Sequence, residues 1–538
     1  MSTSALQSLS PAARAHNPIN MPAPPDGSWT TTNIGEALPG VATPMGWGIW
    51  MEAVDAGMRA PFFAMGSLAK SGLGFPPRAE DRVGNLFYGR IALRVDYFCE
   101  MGDLVPGQSG EAVARDVLGF VPPDYVSSPS KRRWPMFFVK MPVTFLRTPR
   151  QVVRIHEQAR ARYPIEVGRT PSLDLEGARA QYRDAAERFK QMMCVQAAMI
   201  ACAIQPAYTA LEKLAESAGV DSATLMRGHG SHVENEMIEH LWAVSRERMT
   251  LEKFLDLHGF YGPDAGELSN PSWREDSAPL LRIVDDYRAM PDDADPSRTA
   301  DRATAERQAA EAGLLAELPR AKRGGARLAL RLGSKILPLR SNGKVAYMHE
   351  MDIGRAAVRR IGSLLTATGA LGDADDAFYL APDELLEAVP PNTGELVAQR
   401  RAVRAEYQRF ELPIHWTGLP EPVPIASPDP DRGTLVQGLG VSPGVAEGTV
   451  RVVTDPAATE MENGEILVAR TTDPSWASVM YLASALVVDI GGQLSHAAVV
   501  ARELGVPCVM DTREGTRVLR TGDVCRVDGR AGTVEIVG

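Results

Sequence analysis

Residues 419–433, LPEPVPIASPDPDRG, divide the chain into two kinds of sequence. Dense in Pro and Asp and lacking periodicity, this stretch predicts the extended, semi-rigid backbone that joins domains. Before it, long helical patterns dominate. One covers 172–218 and contains Pro206, where it should break or kink. Another covers 344–368, and a third begins at Thr43-Pro44 with Pro at an early helical position. After the divide come six short Val-rich runs, GTVRVV, EILVAR, ALVVDI, PCVMD, DVCRVD and GTVEIV, separated by turn signals and one clear helix. The first kind of sequence packs helix on helix, and the second makes a compact α/β module. At 538 residues the chain exceeds what one core holds. The expected fold is therefore multidomain. It has a flexible N-terminal arm (1–28), a large, mainly α-helical domain with at most a small sheet (29–418), a Pro-rich hinge (419–433) and a small C-terminal α/β domain (434–538).

Charge and composition narrow the partners. A formal net charge of −10, from 57 basic and 67 acidic residues, argues against nucleic acid or an anionic membrane, since either would want a basic face. Cys99, Cys194, Cys202, Cys508 and Cys525 form no CxxC pair and no dense framework, which fits a reducing, cytoplasmic setting. The opening MSTSALQSLSPAARAHNP lacks the apolar core of a secretory signal, and no run approaches the ~18 consecutive apolar residues of a membrane span. The apolar stretch 195–204 reads as buried helix. Met45, Met51, Met58 and Met65 recur at six- or seven-residue spacing, as a core stripe or as an adaptable wall for a ligand.

The densest chemical signal is DIGGQLSHAAVVARELGVPCVM, residues 489–510. An apolar strand at 485–490 runs into Gly491-Gly492, then Gln493-Leu494-Ser495-His496, then an amphipathic helix that stops at Gly505. Paired glycines permit a tight turn. Ser495 takes the N-cap position and puts His496 in the first turn, where unpaired N–H groups and the positive end of the helix dipole gather. A phosphate on the imidazole would meet those donors, and neutral imidazole is a competent nucleophile at neutral pH. A lone histidine is more often a cap or a packing residue; here the surrounding string decides. It resembles the mobile phosphohistidine domain of the phosphoenolpyruvate-utilising enzymes, whose pattern is GG-x-x-SH-A/G-A-x-VARE-x-GxP. Gly440-Val441-Ser442-Pro443-Gly444 resembles that domain's opening strand and turn. Thr472-Asp473-Pro474-Ser475-Trp476 resembles its TDP-x-W loop, and Gly522-Asp523 with Val527-Asp528-Gly529 its closing strands. The resemblance implies a swivelling domain in which His496 carries phosphate, cradled by Gly491, Gly492 and Ser495, from a nucleotide-bound domain to an acceptor.

The helical part resembles the acceptor-binding domain of rifampicin phosphotransferase and its relatives. The residues that carry this are Trp29…Asn33-x-Gly35-Glu36-x-x-Pro39-Gly40…Thr43-Pro44, the segment HGFYGPDAGELSNPSWRED at 258–276, and Arg340-x-x-x-Lys344 with a later Asp375-Asp376-x-Phe378-Tyr379-Leu380. Such enzymes usually make the phosphohistidine with an ATP-grasp domain, for which the sequence shows no room, nor has it a GxxxxGK[ST] loop. A likeness in organisation to phenylphosphate synthase, where ATP binding and the histidine sit on different subunits, implies a separate ATP-grasp partner that binds ATP and Mg2+. It also implies a small hydroxylated, phenolic acceptor. Two alternatives stand beside it: an antibiotic-like hydroxyl or a carboxylate as acceptor, and a non-catalytic phosphocarrier or regulatory protein.

Arg340 and Lys344, four residues apart at a helix start, can share one face. The resemblance places such a pair at the transfer site, where two cations would neutralise a phosphoryl group in flight; the plain alternative is a solvated basic face. His258 and Glu267 are candidates for a base near the acceptor hydroxyl, or for structural caps. His415 is expected to be structural. His229 and His232 offer half a metal site without a third ligand at good spacing, so no metal is expected.

Overall fold

The computed structural model describes every residue except 1–9, 11–16, 221, 230–231, 426–432, 455–460, 494 and 538. The chain is mostly helical, with strands concentrated toward its C-terminal end. It divides into two compact units, Met1–Cys202 with Gly266–Asn270 and Asn342–Ile425, and Ala203–Ala265 with Pro271–Ser341 and Ala426–Gly538. The stretch expected as one helical domain, 29–418, is thus shared between the units.

In the first unit the helices Pro44–Met65, Trp134–Arg169, Leu175–Met199 and Asn342–Ala367 pack together. Asn342–Ala367 is buried along most of its length, and glycine makes the close packing possible. A Cβ on Gly343 would lie 2.1 Å from Gln196 Oε1, and one on Gly362 2.1 Å from the Ala374 carbonyl oxygen. Pro44 opens its helix as the sequence predicts, and the Thr43 hydroxyl accepts from the Gly46 amide at 3.0 Å. Of the methionine stripe, Met45 and Met65 are buried and Met51 and Met58 half-buried. The small sheet is present: antiparallel strands Gly84–Phe87, Arg90–Arg94, Ser28–Thr30 and His415–Thr417, in that order.

Two expected linkers differ from expectation where they are described. Residues 17–28 are not a loose arm. Ile19 is fully buried, the Met21 amide donates to the Leu86 carbonyl, and the Gly89 amide donates to that of Ile19. These backbone bonds and one apolar anchor tie the segment to the sheet; the rest of the expected arm, 1–9 and 11–16, lies outside the described residues. In the expected hinge, Val423–Pro424 pairs with Phe410–Glu411, while 426–432 lies outside the described residues.

The predicted kink near Pro206 appears as a π-helical turn, Ile200–Ile204, in a helical run that continues through Gln205–Ala218. Pro206 has no N–H to donate, and the wider turn absorbs the missing bond. This run, Leu175–Ala218, is long and apolar enough by composition to cross a membrane (mean hydropathy 1.3), but half of that window is buried inside the protein, as in a core helix.

In the second unit an eight-stranded sheet runs Leu435–Gln437, Thr533–Ile536, Val524–Asp528, Val445–Val453, Ile466–Ala469, Ala485–Val488, Cys508–Met510, Leu439–Ser442. All six Val-rich runs are strands. The four from Val445–Val453 to Cys508–Met510 are parallel neighbours, and Ile466–Ala469 and Ala485–Val488 are wholly buried, as parallel strands covered on both faces are. The helical segments 203–265 and 271–341 belong with this sheet because they bury polar anchors as well as apolar faces against it. Tyr287, fully buried, donates its hydroxyl to the Ser478 carbonyl at 2.9 Å.

Candidate phosphohistidine site

Ile466–Ala469 and Ala485–Val488 lie side by side in parallel register, so the loops at their carboxyl ends emerge together. That end of a parallel sheet is where α/β folds place ligands. Gly491 adopts φ +143°, a region open to glycine, whereas a Cβ on Gly492 would meet nothing within 4 Å. The turn therefore depends on the first glycine. Ser495 has the extended backbone of an N-cap (φ −66°, ψ 165°) ahead of the helix His496–Leu504, but its side chain makes no capping hydrogen bond. The capping role expected of that hydroxyl is corrected: Ser495 Oγ is buried and has no hydrogen-bond partner among the described residues. The first-turn amides thus keep their anion-binding capacity, with a hydroxyl beside them.

His496 is only 3% exposed, and its Nδ1 lies 3.5 Å from Thr472 Oγ1. The Thr472 loop is itself fixed. Asp473 Oδ1 accepts from the Ser475 amide (2.7 Å) and hydroxyl (2.5 Å), and its Oδ2 accepts from the Asp264 amide (3.1 Å). Arg502, almost two turns along from His496, donates Nη2 to the Gln493 carbonyl (2.6 Å) and Nη1 to that of Val441 (3.3 Å). It ties the turn before the histidine to the neighbouring strand. Its guanidinium is 5.9 Å from the Tyr208 ring. Burial pushes the Tyr208 phenol up, and the charges of Arg502 and Arg340 pull against that shift, which puts Arg340 within electrostatic reach of the same ring. Sequence reasoning gave Thr472, Arg502 and Asp264 no role. All three stand inside recognisable strings, yet only strand order shows that Thr472 meets His496.

Arg340 ends the 3-10 turn Leu337–Arg340, whereas Lys344 is the third residue of the helix Asn342–Ala367. Ser341, in the right-handed helical conformation (φ −89°, ψ −14°), lies between the turn and the helix. Both are half-buried, Arg340 in the second unit and Lys344 in the first. His258 ends the helix Leu251–His258, buried, with Nε2 2.9 Å from His240 Nδ1 and its ring against Phe254. Glu267 is buried in the first unit. Its Oε1 accepts from the Thr43 hydroxyl (2.6 Å) and the Ser269 amide (3.0 Å), and its Oε2 from the Thr43 amide (3.0 Å). A Cβ on Gly46 would sit 2.3 Å from that carboxylate, so the Thr43-Pro44-Met45-Gly46 string is shaped around it. His415 stacks on Phe120 and contacts Thr30 Oγ1 at 3.0 Å. His229 Nε2 lies 2.8 Å from the Leu225 carbonyl oxygen, and burial lowers its pKa to about 4; the His232 side chain lies outside the described residues.

A strand–turn–helix that presents a histidine at an anion-binding helix start is what a phosphoryl-carrying α/β domain requires. Residues 461–532 match the family described as PEP-utilising enzyme, mobile domain, and residues 247–340 match the rifampicin phosphotransferase fourth domain. Among curated proteins, a rifampicin phosphotransferase of a Streptomyces species is 34% identical over 303 residues, covering 54% of this chain and 34% of that protein. A phosphoenolpyruvate synthase of Aeropyrum pernix is 48% identical over 107 residues, 20% of this chain and 13% of that one. An uncharacterised protein of Mycobacterium tuberculosis is 39% identical over 183 residues, 34% of this chain and 21% of that one. The chain thus aligns with a third or less, in round terms, of each relative's length. A solved structure of Enzyme I aligns over 57% of this chain and 78% of its own with a TM-score of 0.16 at 14% identity, which carries no argument about fold.

Proposed function

We propose that this chain is the histidine-bearing and acceptor-binding part of a phosphotransferase. The observation that carries the reading is His496 at the uncapped start of the helix His496–Leu504, with Nδ1 turned to Thr472, inside a mobile-domain match. In the tautomer whose Nδ1–H donates to Thr472 Oγ1, the lone pair resides on Nε2, which is then the nitrogen that attacks. In the first step Nε2 attacks a phosphorus of ATP presented by a separate ATP-grasp partner. At the β-phosphorus an N–P bond forms and the P–O bond to the α-phosphate breaks, releasing AMP; water then cleaves the β–γ anhydride, releasing inorganic phosphate and leaving one phosphoryl group on Nε2. Mg2+ accompanies the nucleotide on that partner and neutralises its charge. The first-turn amides and the Ser495 hydroxyl receive the phosphoryl oxygens.

In the second step an acceptor hydroxyl attacks the same phosphorus, a P–O bond forms, the N–P bond breaks and the hydroxyl proton leaves to solvent or a base. Arg340 supplies positive charge during this transfer. The acceptor is a small hydroxylated, phenolic molecule. A second reading, an antibiotic-like hydroxyl, is favoured by the match of residues 247–340 to the rifampicin phosphotransferase fourth domain.

The test is an alkaline-stable phosphorylation assay with labelled ATP and Mg2+, with and without a candidate ATP-grasp protein, using His496→Ala as control. Label on the wild type alone, appearing only with the partner and discharged by phenols, supports the reading. Discharge by a rifamycin and not by phenols supports the second. Labelling of His496→Ala at the wild-type rate refutes both.

A further inference from the structure

Between Glu317 and Glu350 the chain carries eight basic residues and no acidic one, although its net charge is −10. Most of them ride on the helix Arg320–Ile336. One face of this helix, Ala326, Leu330, Gly333 and Ile336, is buried. Ala326 and Leu330 pack into clusters with Ala215 and Leu211 of the helix Gln205–Ala218, and a Cβ on Gly333 would lie 2.7 Å from Leu211. Another face is cationic. Arg320, Arg327, Arg331 and Lys335, at spacings of seven, four and four, align on one side, and all are exposed. They make no ion pair among the described residues, in a protein whose other arginines commonly do. The stripe is about 22 Å long at the rise of an α-helix. Exposed Leu328 stands beside it, and the surface over Gly324 and Gly325 is open.

We infer that this stripe is a docking face for an acidic protein surface, that of the protein that donates the phosphoryl group to His496; the donor's identity rests on the function proposed above. A membrane fits poorly, because the apolar face that a membrane-bound helix would insert is spent on the protein's own core. Nucleic acid fits poorly too. No aromatic residue interleaves the cations between Arg320 and Arg340 for bases to stack on, and the rest of the chain would repel a long polyanion. A partner protein needs only a local row of carboxylates and an apolar contact for Leu328, and arginine is favoured at such interfaces.

The full chain is titrated with fluorescent poly-L-glutamate at low and at physiological salt, with short duplex DNA and phosphatidylserine vesicles as competitors. Salt-dependent binding is expected, weakened about tenfold or more in Arg327→Glu/Arg331→Glu/Lys335→Glu and partly in the corresponding triple Gln variant. With an ATP-grasp protein that labels His496, the reversal should raise the donor concentration for half-maximal labelling by a similar factor and leave labelling at saturation unchanged. Equal poly-glutamate binding by wild type and reversal, or tighter binding of duplex DNA or vesicles, overturns the docking face. Labelling with the same donor dependence in both proteins overturns the donor as its occupant. Absence of labelling with every donor refutes the phosphotransfer reading instead, and the poly-glutamate arm still decides the surface.

Discussion

The His496 imidazole faces the Thr472 hydroxyl through Nδ1, and its helix start has no side-chain cap hydrogen bond. Thr472→Val keeps the shape and removes that hydroxyl. The contact is long at 3.5 Å, so stability should hardly move, while labelling of His496 should slow by roughly fivefold, the worth of one hydrogen bond of about 1 kcal/mol. An unchanged labelling rate would show that Thr472 does not orient the ring. Glu267 makes the opposite case. With Thr43 and Ser269 as donors to its carboxylate, Glu267→Ala should cost about 1–3 kcal/mol of stability, read as a lower unfolding midpoint, and leave His496 labelling intact. Loss of transfer at unchanged stability would return it to the acceptor-side role considered from sequence. At this scale the mobile-domain string around His496 was legible, because the whole of 489–510 matches one pattern. Thr472 and Asp264 were not: strand order brings the Thr472 loop to His496, and tertiary packing brings the Asp264 amide to Asp473, neither of which spacing reveals.

Elements were legible where one local rule dominates. Valine-rich runs became strands, Pro44 began a helix, and Pro206 imposed a wide turn. What stayed illegible was which elements pack together. The helix Ala278–Ala289 reads as an ordinary amphipathic helix, yet its Tyr287 reaches the Ser478 carbonyl, and the Tyr481 hydroxyl donates to the Ala294 carbonyl. These contacts belong to an arrangement in which His496 is buried; on the function proposed above, the phosphoryl donor reaches it from another. Tyr287→Phe/Tyr481→Phe removes two hydrogen bonds worth about 1 kcal/mol each and should raise the population with His496 uncovered by roughly tenfold or more. The expected readout is faster labelling by the donor together with faster amide exchange in Ala477–Met480. Faster exchange without faster labelling would mean that His496 is reached while these contacts persist.

Across the whole molecule, acid should act in part through two buried histidines with lowered pKa values, one in each compact unit. Burial lowers the His349 pKa to about 3, with His156 and Arg160 adding to the shift and Asp352 opposing it; burial and Arg307 lower that of His229 to about 4. In the unfolded chain both titrate near 6.5. Below that pH the unfolded state takes up protons that the folded state refuses, so stability is full above about pH 7 and declines as the pH falls toward the folded values. The limiting slope is about 1.4 kcal/mol per pH unit for each histidine. Asp103 and Asp295, held low by hydrogen bonds against the cost of burial, act in the same direction but only below the ordinary carboxylate range. Glu350, raised by burial against Arg188 and Arg162, acts oppositely. Between pH 7 and 5 these two histidines lower the stability, and the unfolding midpoint should fall. His349→Leu should flatten that dependence even where it changes the midpoint at pH 7, because it removes the group that discriminates between the two states. The same slope in wild type and variant would show that the folded His349 accepts a proton near its ordinary pKa, and that the helices Trp134–Arg169 and Asn342–Ala367 admit water at acid pH.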